Sequence, residues 1–349
     1  MHDRIVPFTP RKRRRAARFA ALAGLLMVAV ATLPGCEAIL VTTGLRMRLD
    51  DVPLQSITAT LAAPRGMVPG TSAPLSIVAL AQDGRTLATV GTGDGKVLPD
   101  SYRFEASIVT CDEDGVVTMP EDPRLTDGHV AHVRITPAGR ASPVADVDVV
   151  ARYDAPFEGV YAGDAGRDGA SGMDGFPGPS GAPGSFDPDH PSAGGDGSSG
   201  TSGSDGTDGG EGGPGPDVHV WISLAPAPHP LLRVRVSERG QDHFFAVDPA
   251  GGSLRVVARG GHGGSGGAGG RGGSGGSGGM GQPDGASGNA GSDGRSGFPG
   301  RGGASGRITV SVDPAARVFL DRFRFVAQDG EGRAGPAPVV ITEPVPRPW

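Results

Sequence analysis

Glycine falls at every third place in four separate runs of this chain, and that period constrains the fold more than anything else in it. From Gly163 the triplets read GDA GRD GAS GMD GFP GPS GAP GSF. The run breaks at DPDHPSA and resumes at Gly194 with GGD GSS GTS GSD GTD GGE GGP GPD, ending at Asp217. A third run extends from Gly260 to Pro283 and carries two glycines in nearly every triplet. After Asp284 a fourth begins at Gly285, GAS GNA GSD GRS GFP GRG GAS, and closes on Gly306. Each holds about eight triplets. A flexible spacer needs neither a fixed period nor a fixed length. A period of three points to an extended polyproline-II backbone, which has three residues per turn. Glycine then occupies one face of each turn, where another backbone can approach closely.

Two architectures use such a face. Collagen packs three chains around one axis. Proline is sparse within these runs, however, and run 3 has glycine on two faces, which adds flexibility that a triple helix must order at an entropic cost. Polyglycine-II helices of one chain can instead lie side by side and bond backbone to backbone. That bundle is the expectation here, with run 3 as the interior strand and runs 1, 2 and 4 more peripheral. SFDPDHPSAG and GQPDG carry the Pro, Asp and Gly of turns. Each is expected to reverse the chain, giving two hairpins roughly 75 Å long at ~3.1 Å per residue.

The flanks of the runs repeat a pattern. VHVWISLAPAPHPLLRVRVS (218–237) and ITVSVDPAARVFLDRFRFVA (308–327) each read as an alternating strand, a Pro-containing turn and a second alternating strand. VDVVARYD precedes the first hairpin and LRVVARGG the second. A tandem duplication with a β base clamping both hairpins is expected. Earlier in the chain, Ser56–Ala62, Leu75–Ala81, Thr86–Val90, Tyr102–Thr110, Val116–Met119, Val130–Ile135 and Val144–Tyr153 read as short strands separated by turn residues, the pattern of a sandwich. VPGTSAPLSIVALAQDGRTL resembles bacterial immunoglobulin-like modules over about residues 50–155. That resemblance implies an immunoglobulin-like β-sandwich.

The N-terminus reads as an export signal. Arg11–Arg15 is basic, Phe19–Leu33 is a 15-residue apolar run, and Leu33–Cys36 reads LPGC. The run is shorter than the ~20 residues a spanning helix needs. LPGC resembles the lipobox of bacterial lipoproteins, which implies lipidation of Cys36 as the mature N-terminus; an uncleaved signal anchor is the alternative. Residues 1–35 hold seven of the chain's 32 Lys/Arg and one of its 38 Asp/Glu, so their removal leaves a net charge of −12. So acidic a chain argues against nucleic acid as a partner. Membrane attachment would then rest on the acyl chains. Cys111 is the only other cysteine. With Cys36 acylated no intrachain disulfide can form, and Cys111 is expected to be a small residue packed between strands.

Catalytic signals are missing. Matches to G-x-S-x-G, such as Gly263–Gly267, follow from composition and lack the strand and helix that a nucleophile elbow needs. GTGDGKV at 91–97 lacks the spacing of a phosphate loop. His129 and His132 are three apart on an expected strand and so face opposite sides. CDEDG (111–115) reads as an acidic hairpin turn, and Trp221 as a packing residue. No metal, cofactor or catalytic residue is expected, and the chain is not read as an enzyme.

The whole chain resembles bacterial collagen-like, glycine-repeat surface lipoproteins. LPGC, the triplet runs, GPDVHVWISL, HPLLRVRVS, DPAGGSLRVVARGG and the closing AGPAPV carry that resemblance. It implies a cell-envelope location, at the outer membrane or cell surface, and no established activity. The expected fold class is mainly β. The expected segments are a signal peptide (1–35), an immunoglobulin-like β domain (36–155), a first glycine hairpin (156–217), a β segment (218–259), a second glycine hairpin (260–306) and a C-terminal β segment (307–349). The expected role is structural or adhesive, on a monomer or a collagen-like homotrimer. Its partners would be the membrane, through the lipid, and a surface glycan or neighbouring cell. A polysaccharide-binding module is the rival function.

Overall fold

The computed structural model describes residues 41, 43–225 and 230–349. The protein is mainly β and divides into two compact units, split at Ala151–Arg152 apart from Asp122–Arg124, which groups with the second. The first unit contains β1 (Leu54–Leu61), β2 (Ser72–Ala81), β3 (Thr86–Ala88), β4 (Tyr102–Ser107), β5 (Thr110–Cys111), β6 (Val116–Thr118), β7 (Val130–Pro137) and β8 (Ala145–Val150). These form two antiparallel sheets, β1-β2-β6-β5 with β3 beside β2, and β4-β7-β8. Period-two patterning decides which face is buried. On β7, Ala131, Val133 and Ile135 point into the core, while His132 and Arg134 point outward and pair with Asp148 and Asp146 of β8.

The second unit contains β9 (Pro156–Ala162), β10 (Val218–Leu224), β11 (Leu232–Glu238), β12 (Gln241–Val247), β13 (Ser253–Arg259), β14 (Ile308–Val312), β15 (Phe323–Gln328) and β16 (Val339–Thr342). The strands that lead into the glycine runs, β9 and β13, lie parallel in one sheet, with β15 on the far side of β13. The strands that leave the runs, β10 and β14, lie parallel in the other sheet, with β16 beyond β14; β11 and β12 extend its opposite edge as a meander. One core joins both sheets, including Leu254, Val256 and Ala258 from the first and Val220, Ile222, Val234, Val310 and Val312 from the second.

This arrangement corrects two sequence expectations. The strand entering run 1 is β9, which pairs with β13 from Pro156↔Ser253 onward. VDVVARYD belongs mainly to β8 of the first unit, so its likeness to LRVVARGG is not a likeness of position. The β segments 218–237 and 308–327 also differ. β10 and β11 form an antiparallel pair, whereas the chain after β14 passes through a 3-10 helix (Arg317–Arg322) into the opposite sheet. The true repeat is therefore a strand in, a glycine excursion, and a strand out. It occurs three times: β9 to β10, β13 to β14, and β15 to β16.

The four runs pack against one another as three-residue-period strands. In runs 1, 3 and 4 every third N–H bonds to the carbonyl of a neighbouring run, and in run 2 two of every three do. Gly166, Gly169 and Gly172 of run 1 donate to His262, Ser265 and Ala268 of run 3. Run 2 donates to run 1 (Ser204 to Met173, Thr207 to Ala170) and also to run 4 (Gly206 to Arg295, Gly209 to Phe298). Run 3 donates to run 2 (Gly267 to Thr207), and run 4 to run 3 (Gly297 to Gly267). Runs 2 and 3 thus each have three partners, and runs 1 and 4 have two, the cross-section of two triangles sharing an edge. Run 3 is interior as expected, with the second glycine of each triplet buried; run 2 has as many partners but remains partly exposed, and most of its triplets have only one glycine. Ser198, Thr201, Ser204 and Thr207 of run 2 stay exposed, and their N–H groups donate to the carbonyls of Pro179, Phe176, Met173 and Ala170 of run 1. Hydroxyls of three of them also accept N–H groups of run 1, at Phe176, Met173 and Ala170, each at 2.7 Å.

Candidate functional site

What the rod offers to the outside is set by which triplet positions are consumed in packing. In run 3 a Cβ on the first glycine of a triplet would overlap a run 4 carbonyl: Gly266 meets Gly297. A Cβ on the second glycine would overlap a run 1 carbonyl: Gly267 meets Ala170. Only the third position is free, and His262, Ser265, Ala268, Arg271 and Met280 all point outward. The same logic places the two non-glycine positions of runs 1 and 4 on the surface. The result is a rigid rod whose outward residues recur every third position.

Side chains on this surface also serve the backbone beneath them. The carboxylates of Asp196, Asp205, Asp208 and Asp217 on run 2 accept the N–H groups of Ala286, Arg295, Phe298 and Arg307 at 2.6–2.9 Å. Asp168 and Asp174 on run 1 do the same for Ser265 and Arg271 of run 3. The Asp-rich triplets are thus caps for backbone donors on neighbouring runs. Between these polar rows stand large apolar side chains in water: Met173 is 78% exposed, Phe176 77% and Phe298 75%. Sequence reasoning passed over them. The signal was present in GMD and the two GFP triplets, where a bulky residue sits in a run that otherwise favours small ones.

The residues singled out from sequence fall elsewhere. Cys36 lies outside the described residues. Cys111 is half-buried, with its Sγ 3.8 Å from the Asp112 carbonyl, and burial pushes its thiol up to about 11. CDEDG is a turn, in which Asp112 Oδ1 accepts the N–H groups of Asp114 and Val116. His132 Nδ1 is 2.6 Å from Asp148, while His129 Nδ1 meets the Asp127 carbonyl at 3.0 Å, so the two histidines serve different partners. Among the described residues, no group of three or more His, Cys, Asp or Glu is placed to hold a metal ion.

Trp221 sits on the outer side of the five-stranded sheet with both ring faces covered. His219 stacks on one at a centroid distance of 3.7 Å, and the Arg235 guanidinium lies 4.0 Å from the centroid. His219 Nε2 is 3.0 Å from Ser311 Oγ. Desolvation lowers the His219 pKa, and Arg235 lowers it further while Glu343 opposes both. The C-terminal Trp349 packs edge-on against Phe244, and its backbone carbonyl accepts from Arg233 at 2.8 Å.

No protein-family model matches the chain, and no curated protein matches it. Among solved structures, the S-layer protein rSbsC(31-844) superposes with a TM-score of 0.19 and 14% identity, over 56% of this chain and 28% of that one. The S-layer protein SbsC domains 4 and 5 give the same TM-score and identity, over 56% of this chain and 98% of that one. The chain thus spans little more than a quarter of the first. At that TM-score neither likeness carries an argument. No helix among the described residues is long and apolar enough to cross a membrane.

Proposed function

We propose that this is a lipid-anchored protein of the cell envelope with a structural or adhesive role, holding a glycine-repeat rod out from a β base. The exposure of Met173, Phe176 and Phe298 carries the reading. Folding of the rod needs glycine and small polar residues, and burying an aromatic ring contributes to stability only when water is removed from it. Rings left in water on a rigid scaffold suit contact with another surface. The packing also favours a single-chain rod over a collagen-like homotrimer, because the glycine faces are already filled by runs of the same chain. The covered faces of Trp221 disfavour that ring as a platform for sugars. Two antiparallel sheets around one core support reading the first unit as an immunoglobulin-like sandwich.

The test pairs two changes. Cys36→Ala should move the protein from the membrane fraction to the soluble one. Met173→Ser, Phe176→Ser and Phe298→Ser combined should leave melting unchanged and reduce binding of the purified protein to cells of its own source by tenfold or more. Equal binding by the triple variant would remove the adhesive role and leave only a spacer.

A further inference from the structure

The third strand–excursion–strand unit has ten residues between its strands (329–338), where the first two have 55 (163–217) and 48 (260–307). It nevertheless begins as they do. The carbonyl of Gln328, at the end of β15, accepts the Gly260 N–H at 3.0 Å, as the carbonyl of Arg259 accepts from Gly163 at 2.9 Å. Gly330 N–H donates to the Gly303 carbonyl, as Gly261 N–H donates to the Gly213 carbonyl, both at 2.8 Å. A Cβ on Gly330 would overlap the Gly261 carbonyl, as one on Gly261 would overlap that of Asp164. Residues 329–330 therefore occupy the first step of a fifth glycine strand, seated between runs 3 and 4. Then Asp329 folds the chain back. Its Oδ1 accepts the N–H groups of Glu331 and Arg333, and Gly332 takes a φ of +84°.

Beyond that step the seat continues without an occupant from this chain. The N–H groups of Gly263, Gly266, Gly269, Gly275 and Gly278, one per turn of run 3, find no acceptor among the described residues. Gly272 donates to Asp293 instead. The run 4 carbonyls of Gly300, Gly297, Gly294, Gly291 and Gly288 continue the row begun by Gly303. One feature differs along the row. Where Gly330 sits, the third residue of the run 4 triplet is Gly302, and a Cβ there would press on the Gly330 backbone. Farther out the same position holds Pro299, Ser296, Asp293, Ala290 and Ser287, all with the Cβ that Gly302 lacks.

We propose that the groove between runs 3 and 4 is a seat for one more glycine-triplet strand, filled for a single step by the chain's own residues 329–330 and barred to glycine strands of other molecules by the side chains of Ser287, Ala290, Asp293, Ser296 and Pro299. The third unit is thus a truncated hairpin that ends the array, and run 4 carries the stop against lateral growth. The rod's exposed backbone donors and acceptors pose the same hazard as the open edge of a sheet, and side chains that prevent approach answer it in the same way.

The probe is a labelled (Gly-Gly-Ser)8 peptide. The parent should not bind it, while a variant with glycine at all five barring positions should bind it at least tenfold more tightly than the parent or self-associate in sedimentation. Five glycines placed instead at Ser171, Ser180, Ala268, Ser274 and Ser277, on the surface between runs 1 and 3, should not confer this. Binding by the parent at equal strength, binding by the control set, or a folded five-glycine variant that neither binds nor self-associates would overturn the proposal. Should the five-glycine rod not fold, Gly302→Ser decides. It should expel residues 329–330 and deprotect the Gly330 and Gly260 amides in hydrogen exchange while those of Gly264, Gly267, Gly270, Gly273, Gly276 and Gly279 stay protected; unchanged protection at Gly330 refutes the seat. The inference rests on the single-chain rod, and the parent's own exchange separates the two: unprotected amides at Gly264, Gly267 and Gly270 would mean the rod itself has failed.

Discussion

Ser265 and Gly266 are neighbours with opposite duties. Ser265 points its side chain into water and bonds through its backbone alone, its N–H to Asp168 and its carbonyl to the Gly169 N–H, so Ser265→Ala leaves every backbone bond in place. A side chain on Gly266 must occupy the space of the Gly297 carbonyl. Gly266→Val should therefore cost about 1–3 kcal/mol, as overpacking does, and Ser265→Ala less than about 0.5 kcal/mol. Paired thermal melts check this, and equal melting by both would show that the glycine faces are not packed. The glycine faces were legible because only a missing side chain explains a fixed period. The caps were not, since an Asp in a GxD triplet shows its use only when the neighbouring run's N–H lies beside it. Cys111 offers a residue-scale test in the other unit. With its pKa raised from 9.0 to about 11 by burial, the thiolate fraction at pH 8 falls roughly a hundredfold. Iodoacetamide should label it about that much more slowly in the folded protein than in denaturant. Equal rates would mean that the site is open to water.

At the scale of elements, the sheets set the register of the rod. β9 pairs with β13 at an offset of 97 residues, and the Asp168–Ser265 and Asp174–Arg271 bonds keep that offset far out along the runs. β10 pairs with β14 at an offset of 90, and the bonds from Asp217, Asp208, Asp205 and Asp196 to run 4 all keep it. A three-residue period leaves no freedom to slip by one, because a slip turns a side chain onto a packed face. One Ser inserted between Arg259 and Gly260 should therefore put the third-position residues of run 3 against run 1 or run 4, and abolish amide protection throughout 260–281. Inserting Gly-Gly-Ser at the same place keeps every face and only lengthens the tip, so protection and melting should stay near the parent's. If both insertions behave alike, the sheets do not govern the rod. The shared strand grammar showed that a base exists, but the strand leading into run 1 was misjudged because Val147–Arg152 spells nearly the same letters as Val256–Arg259. Pairing depends on which strand meets the first glycine, and PFEGVYA does that without resembling LRVVARG. The truncated third unit escaped notice for a related reason: Gly330, Gly332 and Gly335 do not keep the period.

At the scale of the molecule, the question is whether the glycine faces are satisfied within one chain. Every run spends its bare faces on another run of the same chain, and runs 2 and 3, with three partners each, have none left. A triple helix between chains would need those same faces, so the two arrangements exclude each other. The parent should therefore sediment with the mass of one chain once residues 1–35 are removed, and its melting temperature should not change over a hundredfold range of concentration. Association would instead tie folding to mass action and raise the melting temperature with concentration. Hydrogen exchange adds a signature that mass alone lacks. Within each GGX triplet of run 3 the second glycine donates inside the rod, so Gly264, Gly267, Gly270, Gly273, Gly276 and Gly279 should exchange slowly. Gly263, Gly266, Gly269, Gly275 and Gly278, without acceptors among the described residues, should exchange fast, while the amide of Gly272 is held by Asp293. A free tether would exchange fast throughout, and a homotrimer would show three chains by mass. Slow exchange at every second glycine, in a particle of one chain, is the result that the packing of this rod requires.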